Sequence, residues 1–569
     1  MRFSASAAVS TCLLALVTSV AAISKVTRTG RYLYTDDGSR FYIKGVTYQT
    51  QGIIVPGPDN PLNQPSTFVD NLADDAGCTR DLPNLKTLGI NTIRAYSVDS
   101  TLNHDSCMKA LSAAGIYVIM DLTLPLNGSI DTTQPMWSTN ILDQYIKTID
   151  VFKQYDNVLA YNIGNEVLTS NHTQAAPFLK AAARDIKAYL TSISSSALIG
   201  YADIDGASAF RDDIAEYLSC DPSGSNSASS AIDLFGLNSY AWCGDAVSTT
   251  YDILNSEFQN YNVVAYFSEY GSENCNPGTR VWTETDVMFA SPMTNVWSGG
   301  LAFNYFHDLS NAAGTVRDFG LVTLSSDNST ATPNADFTNL AAQYGKVTFA
   351  NNPTQASAPA SSFSACPSSD ANFAASAVLP PTPNESACAC LASKLPCLFT
   401  PKTSDFNAAM GDLTNTVCSF LLPNEKGSCA DIAADGTAGT YGLVAMCDPT
   451  IRLSYAFSQY YELTARASTS CDFSGNATLN AAVASAAPSA ATAAASCISS
   501  PSAVFTPSAP AGGSAASGGS GSGSSAGASG SGTSGAKNGA VALVGERGAL
   551  VGMAAAVGCG LLGMLWTLA

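Results

Sequence analysis

Between Phe41 and Asp308 the chain repeats one pattern: a short, almost uninterrupted apolar run that stops on polar residues, followed by a longer amphipathic segment. The runs are "FYIKGVTYQ" from Phe41, "NTIRAYSV" from Asn91, "YVIMDL" from Tyr117, "VLAYNIGNEV" from Val158, "SALIGYAD" from Ser196, "DLFGLNSYAW" from Asp233, "VVAYFSEYG" from Val263 and "GGLAFNYFHD" from Gly299. Their length and their content of Val, Ile, Tyr and Phe predict strands buried on both faces. Between them lie segments such as "DLPNLKTLG", "SCMKALSAAG", "ILDQYIKTIDVFKQY" and "AAPFLKAAARDIKAYLTSI", whose apolar spacing suits helices. Strands that are apolar throughout, alternating with helices, predict a parallel sheet covered on its outer side. Eight such units in one stretch are the count of an α/β (β/α)8, or TIM, barrel.

The polar residues that end the runs are then the informative ones, because a barrel of this kind builds its site from the carboxyl ends of its strands. They are Tyr48 and Gln49, Arg94 and Tyr96, Asp121, Asn165 and Glu166, Asp203, Tyr240, Glu269, and Tyr305. One such residue is a loop cap. A set repeated on most strands predicts a shared cavity. Two of them, Glu166 in "GNEV" and Glu269 in "FSEYG", are glutamates. Paired carboxylates without a metal cage or a nucleophilic Ser/His pair point to glycoside chemistry, one protonating the departing oxygen and the other attacking the anomeric carbon. Arg94 beneath Glu269 would keep it ionised, and Asn165 would grip the sugar 2-hydroxyl. Tyr48, Tyr96, Tyr240, Tyr270 and Tyr305 are candidate flat faces for sugar rings, with Tyr240, Trp242, Tyr305 and Phe306 expected on the acceptor side.

Composition narrows the chemistry. Three histidines are too few for a His-based metal centre or triad, so no metal and no cofactor is implied. A net charge of −19 with 26 Lys+Arg argues against a nucleic-acid partner. The ends of the 569-residue chain read as processing signals. Residues 1–22 have an early positive charge, an apolar stretch and a small-residue exit, the layout of a secretory signal peptide. Residues 539–569 combine small residues, a spacer and an apolar tail, the layout of a removed glycosylphosphatidylinositol (GPI) signal. Asn538 is the expected attachment site, and Gly535 or Ser534 are the alternatives. A transmembrane helix is the competing reading of that tail, against which stands the lack of a basic cluster after it.

Secretion makes the sixteen cysteines intelligible. Cys12 and Cys559 fall in the terminal signals. Six of the others lie from Cys78 to Cys366 and eight from Cys388 to Cys497, a density shift that marks a boundary. The expected organisation is a catalytic domain over 23–350, a linker over 351–383 with Cys366 tied back to the barrel, and a cysteine-rich module over 384–475. An Ala/Ser/Gly-rich stalk follows over 476–538. Asn127, Asn171, Asn328, Asn384 and Asn476 sit in glycosylation sequons.

The pieces "FYIKGVTYQ", "CTRDLPNLKTLGINTIRAYSVD", "NHDSCMKAL", "GIYVIMDL", "AYNIGNEV", "LNSYAWCG", "FSEYG" and "VWSGGLAFNYF" occur in order along the first domain. In them the chain resembles the GPI-anchored fungal cell-wall β-1,3-glucanosyltransferases, glycoside hydrolase family 72. "ACACLASKLPC" and "CADIAADGTAGTYGLVAMCDPTIRLSYAFSQYY" resemble the mainly helical, cysteine-rich glucan-binding module of one branch of that family. The resemblance implies Glu166 as acid/base and Glu269 as nucleophile, with Gln49, Tyr96, Asp121, Asn165, Tyr240 and Tyr305 contacting the donor sugar. Phe303 is the alternative to Tyr305. It also implies the bridges Cys78–Cys107, Cys220–Cys366 and Cys243–Cys275. Thr47 departs from the family, whose first strand carries Asp at that place. The implied activity cleaves a β-1,3-glucan internally, keeps the new reducing end as an ester, and passes it to the non-reducing end of another glucan. The expected protein is monomeric, held on the outer face of the plasma membrane by its anchor or in the wall. A retaining endo-β-1,3-glucanase and a non-catalytic wall-binding protein are the rival readings.

Overall fold

The computed structural model describes residues 22–54, 65–125, 128–242, 244, 246–273, 279–312, 315–403, 407–421, 427–483 and 488–509. Residues 1–21 and 510–569, with Asn538, and Asn127, Cys243 and Cys275 lie outside the described residues.

The eight apolar runs form a closed parallel barrel. Its strands are β1 (Ile43–Thr47), β2 (Thr92–Ala95), β3 (Tyr117–Asp121), β4 (Val158–Asn165), β5 (Leu198–Ile204), β6 (Leu234–Asn238), β7 (Val264–Tyr270) and β8 (Trp297–Ala302). β8 closes on β1 with Gly299 opposite Ile43 and Ala302 opposite Val46. Helices α1 (Asp75–Leu88), α2 (Asp105–Ala113), α3 (Thr139–Phe152), α4 (Ala176–Ser192), α5 (Ser208–Ser219), α6 (Asp252–Phe258) and α7 (Glu284–Met288) occupy the crossovers, and α8 (Ala335–Tyr344) follows β8. Their ends obey local chemistry. Asp74 caps α1 by accepting from the Gly77 amide at 3.0 Å, and Gly89 ends it at φ 64°. In α3 the side chains of Ile141, Leu142, Tyr145, Ile146, Ile149 and Phe152 recur at helical spacing and are buried.

The barrel interior is divided by height. Its lower part is an apolar cluster in which Ile43, Tyr117, Ile119, Leu159, Leu234, Val264, Tyr266 and Leu301 pack with Val26, Leu33 and Phe41 of an N-terminal three-stranded antiparallel sheet. Polar side chains are thereby left to the upper layers, nearest the carboxyl ends of the strands.

The cysteine-rich segment has its own core around Leu391, Val417, Val444, Leu453, Tyr455 and Phe457. It contains α9 (Glu385–Lys394), α10 (Asn407–Leu421), α11 (Pro449–Leu463) and α12 (Ala490–Cys497). Cys388–Cys447, Cys390–Cys497, Cys397–Cys471 and Cys418–Cys429 staple it. Cys497 lies beyond the boundary expected at 475, and α12 extends the folded part into the sequence read as stalk. Two further bridges serve the barrel. Cys78–Cys107 joins α1 to α2, and Cys220–Cys366 ties the following segment to the end of α5. The module packs directly on the barrel: the Thr139 amide donates to Met446 O at 2.9 Å, and the Phe178 and Tyr441 rings meet edge to face.

Candidate active site

Glu166 and Glu269 stand at the tips of β4 and β7, Glu166 half-buried and Glu269 buried. Glu166 is held at φ 51°, a left-handed conformation costly for a residue with a Cβ, and its amide donates to Ala202 O at 2.9 Å. Asn238, at the end of β6, spans the two glutamates' strands. Its Nδ2 donates to Glu166 Oε1 at 2.8 Å and to Asn165 Oδ1 at 3.2 Å, and its Oδ1 accepts from the Ser268 hydroxyl at 2.7 Å.

Glu269 has stronger partners. Tyr96 donates its hydroxyl to Oε1 at 2.6 Å and Tyr240 donates to Oε2 at 2.7 Å. Arg94 reaches Oε1 through Nη1 at 3.3 Å. The Arg94 guanidinium is fully buried and forked on Asp121, with Nη2–Oδ2 at 2.7 Å and Nε–Oδ1 at 3.2 Å; Nη2 also donates to Asn165 Oδ1 at 2.8 Å. Its Cζ lies 4.2 Å from the centre of the Tyr96 ring.

Burial and the like charge of Glu166 push Glu269 up to about 7, against the pull of Arg94 and the two tyrosine hydroxyls. Burial also raises Glu166, against its Asn238 contact and the more distant Arg94 charge. Three carboxylates face one guanidinium, so they cannot all be ionised cheaply. The donors are unequal: Glu269 has two hydroxyls and a cation, Glu166 one neutral amide. Glu269 therefore has the greater support for its charged form, and Glu166 the lesser. Asp203, buried at the tip of β5, is pushed far above the carboxylate range by burial and by Glu166.

Gln49 enters the site as a positioning group. Its Oε1 accepts from the Tyr96 and Ser97 amides at 3.1 and 3.2 Å, and its Nε2 donates to Val69 O. Tyr48 does not reach the site. Successive strand residues face opposite sides, so with Gln49 inside, Tyr48 points out, where its hydroxyl donates to Asp81 of α1 at 2.8 Å. Tyr305 is corrected for the same reason: it is buried behind β8, its hydroxyl on Asp81 at 3.1 Å and its ring against Tyr48. Tyr270 faces outward next to the inward Glu269, its hydroxyl 2.7 Å from that of Tyr344. Phe306 packs on Tyr48, and Trp242 stacks on Tyr251. The exposed-platform expectation thus fails for Tyr48, Tyr270, Tyr305, Phe306 and Trp242.

Phe303, the alternative to Tyr305, lies beside the tyrosine pair of the site. It is half-buried, with its ring centre 6.5 Å from Tyr96, 6.3 Å from Tyr240 and 5.5 Å from Phe319. Phe319, also half-buried, meets Tyr240 at 5.8 Å. These two rings extend the tyrosine pair into an aromatic wall. Thr47 is withdrawn from it: its hydroxyl donates to Asn304 Oδ1 at 2.9 Å, and Asn304 Nδ2 donates to Gln49 O at 3.0 Å. Asn238 ends an apolar run and was open to the same reasoning as Asn165, whereas Phe319 lies beyond a hairpin and has no local signal.

Comparisons with known proteins identify the family. The glucanosyltransferase model, glycoside hydrolase family 72, matches residues 14–348, and an X8 domain model matches residues 395–478. The chain is 36% identical over 466 residues to 1,3-beta-glucanosyltransferase gas1 of Schizosaccharomyces pombe, covering 81% of this chain and 79% of the relative. It is 35% identical over 447 residues to 1,3-beta-glucanosyltransferase GAS2 of Saccharomyces cerevisiae, covering 76% and 75%. The solved structure of Saccharomyces cerevisiae Gas2p in complex with laminaripentaose superposes with a TM-score of 0.70 at 32% identity, over 81% of this chain and 98% of that one. By sequence over most of its length and by the fold that carries the site, the chain belongs to the glucanosyltransferase family, glycoside hydrolase family 72.

Proposed function

We propose that the chain is a retaining 1,3-β-glucanosyltransferase in which Glu269 is the nucleophile and Glu166 the acid/base. In the first half-reaction a Glu269 oxygen bonds to the anomeric carbon of a β-1,3-glucan, the glycosidic C–O bond breaks, and the Glu166 proton goes to the leaving oxygen. In the second, Glu166 takes the proton of an incoming sugar hydroxyl, whose oxygen displaces Glu269 and regenerates the carboxylate. The new reducing end passes to the non-reducing end of an acceptor chain, and the product is longer than either half.

The observation that carries the assignment of roles is the asymmetry of donors: two hydroxyls and a guanidinium on Glu269, one amide on Glu166. The former suits an attacking anion, the latter a proton carrier. Water at ~55 M competes for the ester, so transfer needs an acceptor held at an effective molarity above that. Phe303, Phe319 and Tyr240 supply the flat faces for it.

The setting follows from the family and the sequence. The protein would be a glycosylated monomer, GPI-anchored through Asn538 at the cell surface, with glucan as donor and acceptor and the cysteine-rich module as a glucan-retaining element. Among the described residues, no helix is long and apolar enough to cross a membrane. The deciding experiment incubates the ectodomain with a laminari-oligosaccharide of one length. Products longer than the substrate support transfer, and exclusively shorter ones support the endo-glucanase instead.

A further inference from the structure

Below the two glutamates the barrel holds a polar group that the two-carboxylate reaction leaves unexplained. Asn162, in the middle of β4, is fully buried, and its Nδ2 donates to Asp121 Oδ1 at 2.6 Å. Asp121 in turn anchors Arg94. Asn162 stands opposite Asp121 across β3–β4 and opposite Gly200 across β4–β5. A Cβ at Gly200 would lie 2.3 Å from Asn162 Oδ1, so the missing side chain there is what leaves the amide its seat.

We propose that Asn162, seated by Gly200, is a positioning residue that holds the Glu269 carboxylate in attack geometry through Asp121 and Arg94; this rests on the assignment of Glu269 as nucleophile. A buried guanidinium is oriented by its acceptors, and Arg94 has Asp121, Asn165 and Glu269 around it. The contact to Glu269, at 3.3 Å, is longer than its shortest contact to Asp121, at 2.7 Å, so it is the weaker hold on the guanidinium. The Asn162 amide occupies part of Oδ1 and fixes the rotation of the Asp121 carboxylate. Without it Asp121 turns both oxygens fully to Arg94 and draws the guanidinium from Glu269. Burial raises the proton affinity of Asp121, and the amide, with Arg94, opposes that rise.

The test is steady-state kinetics on a laminari-oligosaccharide. Asn162→Leu keeps the branched heavy-atom skeleton and removes the donor; Asn162→Ala removes both. Both are expected to lower kcat by about 10- to 100-fold while KM stays within about twofold, because the chemical step and not donor binding depends on Arg94. Gly200→Ala should lower kcat in the same way by displacing the amide. In the Asn162→Ala background, Gly200→Ala should add nothing, since the displaced group is gone. A wild-type kcat for Asn162→Leu, a KM that rises in step with the loss of kcat, or multiplying effects in the double variant would overturn the proposal. Should the Asn162 variants fail to fold, Gly200→Ala decides alone: reduced kcat at unchanged KM supports it, and wild-type kcat refutes it. Turnover surviving in Glu269→Ala would instead sink the nucleophile assignment beneath it.

Discussion

Tyr240→Phe isolates one donor on the proposed nucleophile, Glu269. The hydroxyl removed lies 2.7 Å from Glu269 Oε2, in a site where burial already pushes Glu269 up to about 7. A hydrogen bond to a charged group contributes ~1.5–3 kcal/mol. At 1.36 kcal/mol per unit, its loss raises the Glu269 pKa by about one to two units. The sign follows from what the donor favours: it stabilises the anion, so removing it makes the carboxyl hold its proton to higher pH. The acid limb of kcat/KM, which tracks ionisation of the free enzyme, should therefore move up by about one unit or more. At a pH below the limb the variant should be roughly ten- to a hundredfold slower, and the gap should narrow as pH rises. The assay is kcat/KM on a laminari-oligosaccharide across the pH range, with Tyr270→Phe as control. The Tyr270 hydroxyl meets Tyr344 outside the barrel, so its removal should leave the limb in place. A limb that stays put or moves to lower pH in Tyr240→Phe refutes the electrostatic account, as does an equal shift in both variants.

Further outcomes follow from the same geometry. A carboxyl raised from 4.5 to about 7 binds more protons folded than unfolded, so its contribution to stability is full below pH 4.5 and is lost as pH rises through 7. Glu269→Gln should accordingly raise Tm at pH 8, by relief of about 3 kcal/mol at most, and much less at pH 4, measured by calorimetry. Phe303→Ala and Phe319→Ala should spare cleavage but lower the ratio of elongated to shortened products by about tenfold, read by chromatography of the oligosaccharides; an unchanged ratio excludes these rings as the acceptor platform. Glycopeptide mass spectrometry should find Asn171 and Asn328, both exposed, occupied, and Asn476, whose amide donates to Phe473 O at 3.2 Å, bare.

How far the molecule can be read from its chain differs by level. All eight barrel strands coincide with apolar runs, because a strand covered on both faces needs apolar residues at every position and so writes an unbroken signal. The tips are harder. Polar residues mark where a strand stops, but not which neighbour faces in: Glu269 enters the site and Tyr270 leaves it, Gln49 enters and Tyr48 leaves, and a strand irregularity between Tyr266 and Glu269 shifts even that alternation. Groups brought in from afar leave no local trace. Phe319 approaches Tyr240 only after the chain has turned through a hairpin, and the left-handed backbone of Glu166 is imposed by the tertiary structure. Gly200 reads as an ordinary glycine until Asn162 is seen beside it.

In the proposed reaction Glu269 carries the glucan as an ester and hands it to a sugar in preference to water. Trapping that ester with a 2-deoxy-2-fluoro-laminari-oligosaccharyl fluoride, and mapping the label by peptide mass spectrometry before and after a chase with laminari-oligosaccharide, decides it. Label is expected on the peptide containing Glu269, released much faster by the oligosaccharide than by buffer alone, with an elongated product formed in equal amount. Label on Glu166, or release by buffer as fast as by the acceptor, would contradict it.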